Sequence, residues 1–179
     1  RVDVIRWYEK NHRDLFSLYG LGWSKPSPAF TQWGKIKRRF IRLGSQLFGI
    51  KPFPSYKGEI ENKSDVYGFS KFAYCYENAY DLPNYITEKI FDCFMSGCVP
   101  VYWGSNTISE HIPESCYIDR KRFSSTTHVH QYLESITESQ YQHYQDSIYN
   151  FLISPACNKF KTETFVSTIV DTILTDRNL

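Results

Sequence analysis

The sequence has 179 residues, of which 41% are hydrophobic and 17% are aromatic. This length and composition are typical of a globular domain with a buried core. The formal net charge of +2 is too small for the whole surface to act as a nucleic-acid-binding face. We therefore predict one folded domain over residues 1–179 and no general affinity for nucleic acid.

The first 58 residues contain two predicted elements and then a change in charge. Apolar residues at helical spacing predict a short helix over Val2–Asn11, and the run Leu15–Gly20 predicts a strand that ends at glycine. Between Leu15 and Gly58 the sequence has eight basic residues and no Asp or Glu. Proline pairs flank residues 33–50, which we predict to be an insertion between core elements.

The insertion near residues 33–50 is predicted to be a basic amphipathic helix. Trp and Phe opposite the Lys and Arg residues favour binding to an anionic membrane surface through residues 33–48. A surface helix that packs on its own domain with a solvated basic face is the first interpretation, and membrane binding is the competing one. No motif that reads DNA or RNA accompanies the cluster, so we do not expect a nucleic-acid partner. The apolar positions at helical spacing are Trp33, Ile36, Phe40, Leu43 and Leu47.

A strand, a helix and a second strand follow one another between residues 72 and 104. Phe72–Tyr76 and Cys98–Gly104 are nearly continuous apolar runs, as expected of strands buried on both faces of a parallel sheet. Between them, Asn84 is predicted to cap a helix that starts at Tyr85 and ends before Gly97. This order predicts a βαβ unit of an α/β fold, a Rossmann-like parallel sheet flanked by helices.

The rest of the chain is predicted to be mainly helical. A short helix over Thr107–Ile112 and a strand over Cys116–Asp119 come first. Three longer helices follow, over His128–Ile136, Ser139–Ser154 and Phe160–Thr175. The cysteines are odd in number, form no Cys-x-x-Cys pair and lie mostly in apolar runs, so we predict free buried thiols. They are Cys75, Cys93, Cys98, Cys116 and Cys157.

Polar residues cluster where the first strand of the βαβ unit ends and its helix begins. Glu77 and Asn78 follow the strand, and Glu88 and Lys89 lie in the first turn of the predicted helix. A lysine at a helix N-terminus is repelled by the positive end of the helix dipole, so an anion is expected beside it. Lys89, Asn78 and backbone N–H groups suit a diphosphate, and Glu88 suits sugar hydroxyls. A solvated Glu-Lys pair on an exposed helix face is the alternative.

Two other kinds of site are not favoured. The sequence has no glycine-rich phosphate loop, which argues against a kinase or a simple dehydrogenase. His128 and His130 have no cysteine or carboxylate pair at ligand spacing, so we predict a solvated helix start and no metal site.

Three segments carry a resemblance to a known family. The sequences YCYEN (Tyr74–Asn78), YITEKIFDCFMSGCVPVYWG (Tyr85–Gly104) and IPESCYID (Ile112–Asp119) resemble the donor-site signature of the α-1,3/1,4-fucosyltransferases of glycosyltransferase family 10. The similarity is strongest over Lys71–Phe123. Two further segments, LYGLGW at residues 18–23 and YKGEIENK at residues 56–63, resemble bacterial members.

The resemblance implies a two-domain GT-B enzyme. In that family a C-terminal Rossmann-like half binds GDP-fucose, and an N-terminal domain binds the acceptor sugar. This chain resembles the donor half, so residues 1–179 are expected to form one GDP-sugar-binding domain, with the acceptor domain absent from the chain. GDP-fucose is then the donor substrate, and no bound cofactor is expected.

The resemblance also implies roles for five residues at matching motif positions. Asn78 and Lys89 would hold the diphosphate, and Glu88 would hold the ribose. Tyr85 would line the nucleotide pocket. Glu77 would either bind the fucose or brace the loop.

Family members use an arginine upstream of this signature to bind phosphate. No arginine lies between Phe53 and Lys71. Lys57 is therefore expected to take that place, with Arg38 or Arg39 as the alternative, although a lysine lacks the bidentate geometry of a guanidinium group.

The chemistry that the resemblance implies is an inverting displacement. An acceptor hydroxyl attacks the anomeric carbon of GDP-β-L-fucose while a carboxylate base removes its proton, and the diphosphate leaves. The family's base belongs to the acceptor domain, so no catalytic residue is expected in this chain. The acceptor would be a glycan, such as a lipopolysaccharide or glycoprotein chain.

In this family the cellular location of the enzyme depends on the source organism. A bacterial member would be cytoplasmic and peripheral to the membrane, and a eukaryotic member would act in the Golgi lumen. Two alternatives to fucosyl transfer stay open at this point. One is a non-catalytic nucleotide-sugar or glycan-binding module, and the other is a relative that uses another GDP-sugar. A membrane-associated interaction domain is a third interpretation.

Overall fold

The computed structural model describes residues 1–24 and 52–176, together with the helical residues 33, 35, 36, 39, 40 and 43. The chain divides into two compact units, Arg1–Lys63 and Ser64–Leu179. The expectation of one donor-binding domain over residues 1–179 stays a prediction. Among the described residues, none of the helices has both the length and the apolar character needed to cross a bilayer.

The first unit contains helix α1 (Val2–Asn11), a pair of short parallel strands and the helical residues between 33 and 43 named above. Helix α1 covers Val2–Asn11, as predicted, with Asp3 in its first turn and Lys10 in its last turn, which suits the helix dipole. Strand β1 (Leu18–Tyr19) pairs with strand β2 (Tyr56–Gly58) in parallel. The strand predicted over Leu15–Gly20 is shorter than expected because residues 13–15 form a 3-10 turn.

A small core holds this unit together. Ile5, Leu18 and Phe53 are buried in contact with one another, and Phe53 is 1% exposed. The carboxylate of Glu9 accepts hydrogen bonds from the backbone N–H of Ser55, at 3.1 Å, and from its hydroxyl, at 2.9 Å. The buried loop before β2 is therefore tied to α1 by polar as well as apolar contacts.

The predicted basic helix falls only partly on described residues. Lys35 and Arg39 are helical and exposed. Apart from residues 33, 35, 36, 39, 40 and 43, the positions of residues 33–50, including Leu47 and Arg38, lie outside the described residues. Four apolar side chains of the predicted stripe are exposed, namely Trp33 (82%), Ile36 (50%), Phe40 (70%) and Leu43 (44%).

The second unit is built on a three-stranded parallel sheet. Strands β3 (Phe72–Tyr76), β4 (Val99–Trp103) and β5 (Ile118–Asp119) lie in the order β3-β4-β5. The register pairs Phe72 with Val99 and Tyr76 with Trp103, so neighbouring strands end at the same edge. Helix α3 (Glu88–Met95) connects β3 to β4. The predicted α/β class, with a parallel sheet flanked by helices, is confirmed.

The predicted start of α3 is wrong by three residues. The helix begins at Glu88, and Thr87 rather than Asn84 is its N-cap residue. Asn84 adopts a left-handed backbone conformation with φ 61°, which asparagine tolerates better than most residues. Tertiary contacts of Asn84 compete with the capping role, since its backbone N–H donates to the Thr107 hydroxyl at 2.9 Å.

Four further helices surround the sheet in sequence order. Helix α2 (Ser64–Tyr67) precedes β3, and helices α4 (Thr126–Ser135), α5 (Glu138–Ile153) and α6 (Thr162–Asp176) follow β5. The last three confirm the predicted helices with small shifts at their ends. Ser125 caps α4, and Thr137 with Gln140 forms a capping box at α5.

Two shorter elements differ from their predictions. The helix predicted over Thr107–Ile112 is a 3-10 turn at Ile108–Glu110. The strand predicted over Cys116–Asp119 is reduced to β5 because residues 114–116 form another 3-10 turn.

The five cysteines are free and buried, as predicted. Most of the second unit's core lies between the sheet and its helices, with Ile90, Cys93, Val99 and Val101 fully buried. Burial raises the pKa of the Cys116 thiol to about 11. This thiol stays protonated near neutral pH and packs as a small apolar side chain.

Replacing Gly104 by alanine is expected to destabilise the second unit. A Cβ atom at this position would stand 2.5 Å from Glu77 Cγ and would also overlap the Tyr102 hydroxyl. Overpacking of this kind costs about 1–3 kcal/mol. Urea unfolding followed by circular dichroism measures the free energy of unfolding.

Gly68→Ala is the matched control, because its Cβ would only reach ordinary contact with the Ser64 carbonyl oxygen at 3.4 Å. Equal unfolding free energies for the two variants would contradict the packing described at Gly104.

Candidate active site

The carboxyl ends of the three parallel strands form one edge, where polar and aromatic residues collect. Glu77 follows β3, Gly104 and Ser105 follow β4, and Arg120 follows β5. The backbone N–H of Glu77 donates to the Trp103 carbonyl oxygen at 2.9 Å, which extends the pairing of β3 and β4 by one residue. In parallel α/β sheets this edge is the usual ligand-binding position.

A buried carboxylate lies at the centre of this edge. The Glu77 side chain is 0% exposed. Its Oε1 accepts from the Thr87 backbone N–H at 2.9 Å, and its Oε2 accepts from the Thr87 hydroxyl at 2.7 Å. Lys89 Nζ lies 3.3 Å from the same Oε2 and donates to the Thr87 hydroxyl oxygen at 2.9 Å. We refer to these three residues as the Glu77 network.

The Glu77 network explains why a lysine is tolerated at the start of α3. Glu77 supplies a negative charge to Lys89 within the fold, and the binding of a diphosphate by Lys89 stays a prediction. The Lys89 side chain is 25% exposed, and its Nζ also lies 3.8 Å from Glu88 Oε1. An ammonium has three N–H donors. Two of the contacts of Lys89 Nζ are to Glu77 and Thr87, inside the network.

The first turn of α3 has no side-chain cap. Thr87 occupies the N-cap position, but its hydroxyl donates to Glu77 and does not accept from the helix backbone. The leading N–H groups of a helix have no intrahelical partner and favour negative charge. The start of α3 therefore combines uncapped backbone donors with a partly exposed ammonium group, an arrangement that suits a phosphate or carboxylate ligand.

A second polar network fixes the loop before α3. Asn84 Oδ1 accepts from the Thr107 hydroxyl at 3.0 Å and lies 2.8 Å from His111 Nε2. Lys159 Nζ lies 2.9 Å from His111 Nδ1. Because an ammonium group only donates, Nδ1 is the acceptor and Nε2 carries the proton that is donated to Asn84.

The predicted donor-binding residues are placed as follows. Asn78 is exposed and adjoins Glu77 in the chain, so its backbone lies at the same edge as the start of α3. Tyr85 is half-buried in the loop before α3, and the Glu88 side chain is 67% exposed. Glu77 contacts Thr87 and Lys89, which agrees with the bracing role among its two predicted alternatives. The donor-binding roles of these residues stay predictions.

Lys57 lies on β2 in the first unit, where its side chain is exposed. It lines a surface hollow together with Arg13 and Asp14. Its role in phosphate binding, as a substitute for an arginine, stays a prediction, and Arg38 lies outside the described residues.

Several residues that shape this edge were not predicted from the sequence. Thr87 carries a recognisable signal, since threonine is a favoured N-cap residue directly before Glu-Lys. No local sequence signal identifies the other three residues, Thr107, His111 and Lys159. They are distant from Asn84 in sequence and join its hydrogen-bond network only in the folded chain.

The histidines of α4 differ from each other in environment. His128 is exposed, as expected of a solvated helix start, whereas His130 is 5% exposed and pairs with Glu134 at 3.4 Å. The prediction of a solvated position is therefore wrong for His130, which lies on the core-facing side of α4. Within the described part of the chain, no group of three or more His, Cys, Asp or Glu side chains could hold a metal ion.

Comparison with known families gives one match that covers most of the chain. The model for the C-terminal part of glycosyltransferase family 10 (fucosyltransferase) matches residues 46–169. The match includes β3, α3, β4 and β5, and therefore the whole Glu77 network.

Two curated relatives are similar over shorter segments. The chain is 30% identical to the α-(1,3)-fucosyltransferase FucT of Helicobacter pylori over 91 residues, covering 45% of this chain and 19% of that protein. It is 32% identical to an α-(1,4)-fucosyltransferase of Arabidopsis thaliana over 66 residues, covering 37% of this chain and 16% of that protein. The matched segments thus span less than a fifth of these relatives.

Solved structures of α1,3-fucosyltransferases are also similar. One with GDP has a TM-score of 0.46 at 23% identity and covers 64% of this chain and 34% of that one. Another with GDP-fucose has a TM-score of 0.45 at 18% identity and covers 82% of this chain and 43% of that one.

Replacing Glu77 by glutamine is expected to destabilise the second unit. The variant removes the negative charge next to Lys89 and places an amide NH₂ or oxygen where the carboxylate accepted three hydrogen bonds. Leaving buried polar groups unpaired costs about 1–3 kcal/mol. Thermal and urea unfolding measure the loss.

Glu88→Gln is the control, because the Glu88 carboxylate is 67% exposed and lies 3.8 Å from Lys89. Substitutions at such surface positions change stability by about 0.5 kcal/mol or less. If Glu77→Gln were as stable as Glu88→Gln, the structural role assigned to the buried carboxylate would be refuted.

Proposed function

Because the chain belongs to glycosyltransferase family 10, the fucosyltransferases, we propose that it is the donor-binding part of an enzyme that transfers L-fucose from GDP-fucose to a hydroxyl group of a glycan. The linkage formed is α-1,3 or α-1,4. The observation that carries the proposal is the position of Lys89, held by buried Glu77 at the uncapped start of α3.

The proposed site places the diphosphate at the start of α3. Lys89 contributes a positive charge, and the first-turn N–H groups contribute donors and the positive end of the helix dipole. Asn78 adds amide donors from the end of β3. Glu88, exposed on the same turn, accepts hydrogen bonds from the ribose hydroxyls, and Tyr85 lines the nucleotide pocket.

The proposed reaction depends on stabilising the leaving group. Negative charge develops on the diphosphate as its bond to the fucose anomeric carbon breaks. Groups already oriented toward that charge stabilise the transition state more than the ground state. Glu77 acts indirectly, since its carboxylate fixes Lys89 and Thr87 and so limits the reorganisation needed during the reaction.

Inversion at the anomeric carbon and the location of the base are further parts of the proposal. The acceptor hydroxyl attacks from the face opposite the diphosphate and loses its proton to a carboxylate outside residues 1–179. The acceptor is a glycan of the lipopolysaccharide or glycoprotein type. A bacterial source would place the enzyme in the cytoplasm at the membrane, and a eukaryotic source would place it in the Golgi lumen. The family match does not favour the alternative of a non-catalytic binding module.

Isothermal titration calorimetry tests the donor site directly. The chain is expected to bind GDP and GDP-fucose, with GDP-mannose and UDP-galactose as comparison ligands. Lys89→Ala is expected to weaken GDP binding by about 1–3 kcal/mol, the usual range for a charge-assisted contact.

Lys71→Ala serves as the matched lysine control, since Lys71 is exposed and pairs with Glu138 at 2.8 Å. Circular dichroism should accompany both titrations, because Lys89→Ala also leaves Glu77 without its cation. Equal GDP affinity in the folded Lys89→Ala variant would remove Lys89 from the phosphate site.

Binding to an anionic membrane surface through residues 33–48 is a separate part of the proposal. The exposure of Trp33 and Phe40, with exposed Lys35 and Arg39 close to them in the sequence, supports it. Trp33→Ala combined with Phe40→Ala should reduce sedimentation with vesicles that contain phosphatidylserine, and added salt should reduce it further.

Phe69→Ala is the control for this experiment, since Phe69 is 94% exposed but lies in the second unit. Sedimentation that is equal for the double variant, the control and the unaltered chain would exclude a membrane role for this segment.

A further inference from the structure

Two aromatic rings at the carboxyl ends of β3 and β4 have no role in the proposed phosphate site. Trp103 is the last residue of β4, and Tyr80 lies in the loop after β3. Their ring centroids are 5.6 Å apart with an angle of 35° between the ring planes. Tyr80 is 67% exposed, and Trp103 is half-buried. We refer to these two rings as the aromatic surface.

The aromatic surface is held by the backbone and by a neighbouring ion pair. Asp81 donates its backbone N–H to the Gly104 carbonyl oxygen at 3.1 Å, which ties the residue after Tyr80 to the residue after Trp103. Lys121 Nζ lies 2.5 Å from Asp81 Oδ1. This pair places a carboxylate and an ammonium group next to the rings.

Tyr76 and Arg120 also contact the Trp103 ring. Tyr76 packs edge-on against it with centroids 5.1 Å apart. The Arg120 guanidinium carbon lies 5.9 Å from the Trp103 ring centroid, while Arg120 Nη1 donates to the Phe123 carbonyl oxygen at 2.6 Å. Among the described residues Arg120 has no carboxylate partner, unlike its neighbours Lys121 and Arg122. Its charge is therefore directed to the ring and to backbone oxygen.

We propose that the aromatic surface binds a pyranose ring, an inference that rests on the proposed function. One face of a pyranose is made of C–H groups that pack on aromatic rings, and its rim carries hydroxyls that bind carboxylate and ammonium groups. Tyr80 and Trp103 pack against the C–H face of the sugar, and Asp81 and Lys121 bind the hydroxyls of its rim. The sugar is either the one carried by the nucleotide donor or the one in the acceptor glycan.

The position along the sheet edge favours a sugar over the purine base. A nucleotide sugar has its diphosphate between the ribose and the transferred sugar. With the ribose on Glu88 and the diphosphate at Lys89, the proposed site leaves the ends of β4 and β5 for the transferred sugar. Trp103 ends β4, and Arg120 follows β5, so the aromatic surface lies at this part of the edge.

Tyr80→Ala tests the proposal, and Tyr80→Phe keeps the ring as its matched control. The high exposure of Tyr80 makes both variants expected to fold, which thermal unfolding checks. Calorimetry with GDP and with GDP-fucose, and saturation-transfer NMR with N-acetyllactosamine, give three separate arms. Leu82→Ala controls for loss of another exposed apolar side chain in the same loop, since Leu82 is 48% exposed.

A loss of about 3- to 10-fold in affinity for GDP-fucose, with GDP unchanged and with Tyr80→Phe near the original value, would assign the aromatic surface to the donor sugar. A similar loss for N-acetyllactosamine alone would assign it to the acceptor sugar. Either result supports the proposal.

Two results would overturn it. If Tyr80→Ala weakened GDP as much as GDP-fucose, the ring would contact the nucleotide and not the sugar. If no ligand were affected, the aromatic surface would have no binding role. Absence of GDP binding to the unaltered chain would instead count against the proposed function, and the saccharide arm would then decide the aromatic surface by itself.

Discussion

The site depends on one fully buried carboxylate. Glu77 directly follows β3, and its side chain contacts the start of α3. There it binds Thr87 through two hydrogen bonds and Lys89 through an ion pair. Burying a charge is costly unless it is paired and hydrogen-bonded, and both conditions are met here. As a result the strand end and the helix start are joined by polar contacts in addition to the chain itself, and the ammonium group of Lys89 has a defined position.

The loop that carries the proposed donor contacts is fixed from two further directions. Asn84 is bound by Thr107 and His111, with Lys159 behind the imidazole. Asp81 is bound to the Gly104 carbonyl oxygen and to Lys121. Both Asp81 and Asn84 adopt left-handed backbone conformations, with φ 56° and 61°. Such conformations persist where surrounding contacts determine them, and they are common near binding sites. The loop is therefore rigidly attached to elements that follow it in sequence.

Close packing adds a steric requirement to this electrostatic one. Gly104 leaves no room for a side chain because Glu77 and Tyr102 occupy the space that a Cβ would need. The same β4 end supplies Trp103 to the aromatic surface. Gly104 therefore links the packing around the buried carboxylate to the end of β4, and the stability of the second unit depends on it.

Much of this architecture follows from the sequence alone. The apolar runs of β3 and β4 and the periodicity of α3 are local patterns, and they determined the parallel βαβ unit and the polar character of its edge, because burial on both faces demands continuous apolar residues. Only the tertiary structure decided what those polar residues do. Asn84 had the local features of a helix cap but contacts Thr107 and His111 instead, and Lys89 pairs with Glu77 within the fold. Both outcomes depend on residues that are far apart in the chain and meet only when the strands align, which local propensity does not encode.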